Sequence, residues 1–156
     1  FFEHPTLGKV EIGGWKKFGH NNPLPPFLAD EIERNVQFML MQGRATPLLS
    51  ISKVEQQYLG KNIYRLTTTI SNNGFQPTEL DIRVINKKSV PVRTYLSVPK
   101  NVMILDKETE KSIEKINGNG KEEVIWLVHG SKGATITLGV YHPKGGRFSK
   151  NIKLQR

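Results

Sequence analysis

Zinc and hydrolytic sites need clustered ligands, so the four histidines of this chain are the first residues to weigh. They stand as His4-Pro-Thr-Leu, His20-Asn-Asn-Pro, His129-Gly-Ser-Lys and His142-Pro-Lys-Gly. None forms His-x-x-Glu, Glu-x-x-His or His-x-His, the spacings that bring two ligands to one metal. His129 and His142 fall at the ends of expected strands, where a loop-facing histidine is ordinary surface. Glu11, between Val10 and Ile12 and beside Gly13-Gly14, is a candidate general base. No second catalytic group lies near it in sequence. That favours the alternative, in which Glu11 accepts backbone or lysine hydrogen bonds and fixes its segment. A Gly-x-Ser-x-Gly elbow, a phosphate-binding glycine loop and a cysteine nucleophile are all missing. Gly145-Gly146 precedes no helical pattern and reads as a hairpin turn. No catalytic, cofactor-binding or metal-ligating residue is therefore assigned.

Two regions with different periodicity must position these residues. Residues 1–25 are rich in Gly, Pro and Asn and show no period, so they read as an irregular connector. Val10 and Ile12 suggest a short strand there, and Gly13-Gly14 a turn that sets Trp15 against its neighbours. Trp15 and Phe18 could line a binding surface, but packing between domains is the favoured role. His20-Asn-Asn-Pro-Leu-Pro-Pro26 reads as a rigid approach, because proline restricts itself and the residue before it. A helix is expected from about Pro26 to Gln42, with Asp30, Glu31 and Glu33 toward its positive end and Gly43 as its stop. Leu28, Ile32, Val36, Met39 and Leu40 form one apolar stripe. Left wet, that face would cost several kcal/mol at ~25 cal/mol per Å². It calls for cover by an upstream domain, by the following domain or by a second copy of the chain.

Thr46-Pro47 marks the expected boundary between residues 1–47 and 48–156, where the period changes from 3.6 to 2. Expected strands are Leu48–Gln56, Asn62–Ser71, Thr78–Asn86, Val92–Val98, Val102–Asp106, Lys111–Ile116, Glu123–His129, Thr135–His142 and Phe148–Leu154. Tyr64, Leu66, Thr68 and Ile70 share one face. Leu80, Ile82 and Val84 share another, as do Ala134, Ile136, Leu138 and Val140. Val124, Trp126 and Val128 alternate with Ile125 and Leu127, as in a central strand. Seven to nine short strands without an intervening helix predict a mainly β fold, an immunoglobulin-like sandwich with Trp126 at its core.

The chain has 156 residues and a formal charge of +9. Residues 1–48 carry five bases and five acids, so the whole excess lies in residues 49–156. A basic surface can meet anionic glycan, lipid or nucleic acid. Here the bases are spread singly along strands without the aromatic interleaving of single-strand binders, which argues against nucleic acid and for a solvated basic face. No stretch reaches the ~18 apolar residues of a membrane span. The chain has no cysteine, hence no disulfide framework and no signal of redox compartment. It starts at Phe1 without a signal-type apolar run, so its natural N-terminus is expected upstream.

His4-Pro-Thr-Leu-Gly-Lys-Val-Glu-Ile-Gly-Gly-Trp15, followed by Asn-Asn-Pro-Leu-Pro-Pro-Phe-Leu and the acidic Ala29-Asp-Glu-Ile-Glu-Arg-Asn35, resembles the end of the catalytic domain in bacterial zinc carboxypeptidases. These enzymes belong to the carboxypeptidase A-like metallopeptidase family. Thr69–Thr78 more loosely resembles the accessory domain that follows. The resemblance implies an upstream α/β catalytic domain that holds the zinc and the catalytic glutamate, and none of those residues maps onto this chain. The expected function is a noncatalytic C-terminal accessory module that supports or positions that domain on peptide or cell-wall substrate. The implied setting is secreted, periplasmic or cell-surface. The expected partners are the upstream domain and, for the isolated piece, another copy through the helix stripe. An independent carbohydrate-binding or cell-surface sandwich with a basic face is the alternative.

Overall fold

A computed structural model describes residues 1–14 and 23–155. Trp15, Phe18, His20 and the first part of the proline-rich approach lie outside the described residues. The chain forms two compact units, Phe1–Gly43 and Arg44–Arg156.

In the first unit, β1 (Phe2–His4) pairs antiparallel with β2 (Gly8–Val10). The hairpin is closed by His4, whose Nδ1 accepts the amide N–H groups of Thr6 and Leu7, both at 3.3 Å. Gly8 sits at φ +73°, where a side chain would be strained. Val10 is in a strand as expected, but Ile12 lies beyond it and is exposed.

Helix α1 spans Pro25–Ala45. It therefore runs through Gly43, which was expected to end it. Gly43 does not have a positive φ, so it is not the left-handed cap of a helix terminus. The first turn holds no acid; Asp30, Glu31 and Glu33 sit further in, where Glu31 meets Arg34 at 3.2 Å. No residue of α1 is buried, and Leu28, Ile32, Val36, Met39 and Leu40 are all exposed. Among the described residues, no helix is long and apolar enough to cross a membrane.

The second unit is a β-sandwich of two antiparallel four-stranded sheets. One has the order β3 (Leu49–Gly60), β4 (Ile63–Asn72), β8 (Lys121–Gly130), β6 (Val102–Ile104). The other has the order β10 (Gly146–Lys153), β9 (Thr135–His142), β5 (Val92–Ser97), β7 (Glu110–Ile113). The mainly β, immunoglobulin-like sandwich read from strand spacing is the fold found. Side chains alternate across each strand, so one set from each sheet faces the other. Tyr64, Leu66, Thr68 and Ile70 are completely buried on β4, as are Trp126 and Val128 on β8 and Leu138 and Val140 on β9. Thr68 enters this core because its hydroxyl donates to the Val124 carbonyl at 2.8 Å. Strand β8 lies between two neighbours, but Ile125 on its other face is exposed.

One expected strand is not a strand. Within Thr78–Asn86, residues Asp81–Ile85 form a short helix, α2. Leu80, Ile82 and Val84 do not form a buried face: Leu80 and Ile82 are exposed. The backbone turns because the Leu80 carbonyl accepts the N–H groups of Arg83 and Val84. A side chain just upstream, described below, holds the segment in place.

The open side of the sandwich is closed by charge. Lys111 on edge strand β7 lies 4.7 Å from the Trp126 ring centroid and 3.1 Å from Asp106 Oδ1, and donates to the Ile125 carbonyl. Asp106 Oδ2 accepts the Leu127 N–H at 2.8 Å. An inward lysine on an edge strand also discourages pairing with another sheet.

Candidate functional site

The residues singled out by type are not brought together. Glu11 is exposed just past β2, and His129 is exposed on β8. Among the described residues, no group of three or more His, Cys, Asp or Glu side chains could hold a metal ion.

His142 departs from its expected surface role. It is 1% exposed, because the turn after β9 folds back over it. Its Nδ1 accepts the N–H groups of Lys144 at 3.3 Å and Gly145 at 3.2 Å. Those donors assign the ring proton to Nε2, which donates to the Val90 carbonyl at 3.1 Å. Burial pushes the imidazole below its ordinary range of 6.5, and the nearby Lys144 charge acts in the same direction; the Val90 carbonyl and Glu79 oppose both. The ring is neutral at pH 7.

Glu79, which sequence reasoning passed over, holds Val90 from the other side. Its Oε2 accepts the Val90 N–H at 3.1 Å, and its Oε1 accepts the N–H of Leu80 at 3.1 Å. Arg83 Nε at 3.2 Å and Lys144 Nζ at 3.3 Å neutralise it. The Val90 amide is the largest influence, and with Leu80 and Lys144 it outweighs burial and holds the carboxyl down to about 2 from 4.5. Glu79, Val90 and His142 therefore form a clasp joining the α2 segment to the β9–β10 turn. Both carboxylate oxygens and both ring nitrogens are engaged in hydrogen bonds with the backbone. The clasp is a structural device, and it was missed because its members are far apart in sequence and Glu79 was assigned to a strand.

A different surface has room for a ligand. On the outward face of the second sheet, Arg93, Tyr141 and Arg147 stand in register across β5, β9 and β10. The adjoining row is Glu110, Tyr95, Gly139 and Ser149. Arg93, Tyr95, Glu110, Tyr141 and Arg147 line a shallow recess of about 320 Å³. Tyr95 lies across Gly139, where a Cβ would stand 2.2 Å from the ring Cζ, so glycine is what lets the phenol lie flat on the sheet. Arg147 stacks on Tyr141 with its guanidinium carbon 5.0 Å from the ring centroid. Arg93 meets Glu110 at 3.6 Å, both side chains about half exposed. The bases of this region are thus not all singly dispersed: strand register gathers two of them around two aromatic rings.

No curated protein matches the chain. Among solved structures, it is similar to DesR, a β-glucosidase from Streptomyces venezuelae crystallised in complex with D-glucose, at 12% identity and a TM-score of 0.33. That match covers 69% of this chain and spans 15% of the enzyme. A family profile described as a domain of unknown function, DUF8731, matches residues 48–153, which is the sandwich from the start of β3 to the end of β10. Because that match takes in well over half of its length, the chain belongs to the DUF8731 family of domains.

Proposed function

We propose that this chain is a noncatalytic accessory module that supports or positions a catalytic domain of the same polypeptide. The observation that carries the reading is the Glu79–Val90–His142 clasp, in which the buried carboxylate and the buried imidazole are both committed to backbone hydrogen bonds. The catalytic domain is assigned to the carboxypeptidase A-like metallopeptidases by the resemblance of residues 4–35, and the exposed stripe of α1 is its docking element. Such a domain would hold the zinc. Among the described residues of this chain, no group of three or more His, Cys, Asp or Glu side chains could hold a metal ion. The test is to assay this chain for zinc content and peptide hydrolysis. Neither is expected, and stoichiometric zinc with turnover would sink the proposal.

A second reading, a carbohydrate-binding or cell-surface sandwich, is favoured by the in-register row Arg93, Tyr141 and Arg147. Binding to anionic glycan that weakens steeply with added salt supports it. Absence of binding at low salt removes it.

A further inference from the structure

The recess on the second sheet has a mixed chemistry that narrows what it can hold. Arg147 has a cation–π contact with Tyr141 and no carboxylate partner among the described residues, so its planar donors remain available. The phenol hydroxyls of Tyr95 and Tyr141 make no hydrogen bond to the described residues either. Glu110 is an acceptor on the same rim. The volume of about 320 Å³ is at the small end of the ~300–1,000 Å³ typical of ligand sites.

We propose that this recess binds a carboxylate-bearing sugar unit of an acidic glycan. The inference rests on the binding reading of the sandwich and names its ligand class. Arg147 takes the carboxylate through paired N–H donors, with Arg93 adding positive charge from the other side of Tyr141. The face of Tyr95 away from Gly139 receives the apolar face of the ring, and Glu110 with the phenol hydroxyls takes the ring hydroxyls.

Two observations set this ligand apart from other anions. Arg93, Tyr95 and Tyr141 lie on strands β5 and β9, which are interior to their sheet, so a peptide adding a strand could do so only at the edges β7 and β10 and not across the recess between them. Glu110 disfavours a densely charged polyphosphate, whereas a ring with one carboxylate and several hydroxyls satisfies both signs of charge.

The test is calorimetric titration of the whole chain with a galacturonate oligosaccharide, a neutral galactose oligosaccharide of the same length, and a glutamate oligopeptide. Saturable binding of the uronate is expected, with the neutral sugar and the peptide at least about tenfold weaker. Arg147→Ala and Tyr95→Ala should each weaken uronate binding by about tenfold or more, and Arg147→Lys should recover only part of it, because lysine lacks the planar fork. Arg147 is exposed and Tyr95 half-buried on the outward face of the sheet, and unchanged thermal melting of the three variants shows that the fold persists. No saturable uronate binding at millimolar ligand, equal binding of the neutral sugar, tighter binding of the peptide, or unchanged affinity in Arg147→Ala would each overturn the proposal. None of those results bears on zinc content or hydrolysis, so the accessory-module reading stands or falls separately.

Discussion

The backbone of Val90 is gripped by two side chains of opposite chemistry, and each leaves a signature in pH. Glu79 has its folded carboxyl at about 2 against 4.5 when unfolded. Between those values the unfolded chain binds more protons than the folded one, so stability falls as pH drops from 4.5 toward 2. His142 acts with the same sign from higher pH. Burial lowers the pKa of its ring from 6.5, so just below that pH the unfolded histidine binds more protons than the folded one, and stability begins to fall there. The charges acting on the ring are Lys144, which opposes imidazole protonation, and Glu79, which favours it but is itself paired with Arg83 and Lys144. Thermal melts across pH should therefore show a first decline below 6.5 and a steeper one below 4.5. His142→Asn keeps an acceptor for the turn and removes the proton, so it should flatten the first decline and leave the second. Glu79→Gln places an amide donor among backbone donors, and should lower the melting temperature at pH 7 while removing the acid-side loss it contributes. A first decline equally steep in His142→Asn would show that another group sets it.

At the scale of elements, α1 and α2 show what periodicity decides and what it leaves open. The faces Tyr64–Ile70 on β4 and Ile136–Val140 on β9 were legible because one buried side enforces alternation over a whole strand. Leu80, Ile82 and Val84 alternate just as well, yet lie at a helix, because that short segment is set by Glu79 reaching Val90, eleven residues away, and not by its own pattern. The recess was illegible for a related reason. Arg93 was placed on an expected strand and Arg147 just before another, but only the pairing of each with Tyr141 makes them neighbours. Gly43 was read as a stop from its type, whereas the helix continues past it with no obstruction within 4 Å of an added Cβ. Gly43→Ala should therefore stabilise the last turns of α1 by ~1 kcal/mol, the helix penalty of glycine. Amide hydrogen exchange across residues 40–45 reads this directly. Faster exchange there would mean that Gly43 needs its conformational freedom. On the other unit, Asp106→Ala removes the partner of Leu127 N–H and Lys111 together, and should cost about 1–3 kcal/mol in chemical denaturation. A loss no larger than that of an exposed surface substitution would show that the Lys111 plug does not stabilise the edge.

For the whole molecule, the distribution of buried apolar surface and charge assigns different tasks to the two units. Among the described residues, every fully buried hydrophobic side chain lies between Leu49 and Leu154, and none lies in the first unit. The sandwich thus has a core of its own, of the size at which domains fold cooperatively. The first unit has a two-stranded hairpin, which is marginal by itself, and a helix without a buried residue. The net positive charge is likewise confined to residues 49–156, so the recess with Arg93 and Arg147 lies in the unit that carries both the core and the charge excess. A chain of residues 44–156 alone should therefore melt in one cooperative transition, within a few degrees of the full chain, and keep its affinity for the uronate oligosaccharide. It should lack any concentration-dependent association that the full chain shows in sedimentation, because the stripe Leu28, Ile32, Val36, Met39 and Leu40 goes with the removed unit. If the truncated chain fails to fold, the sandwich core is insufficient and α1 is part of one cooperative unit. If it folds and still associates, the self-contact lies on the sandwich, and the helix stripe loses its role as a docking element.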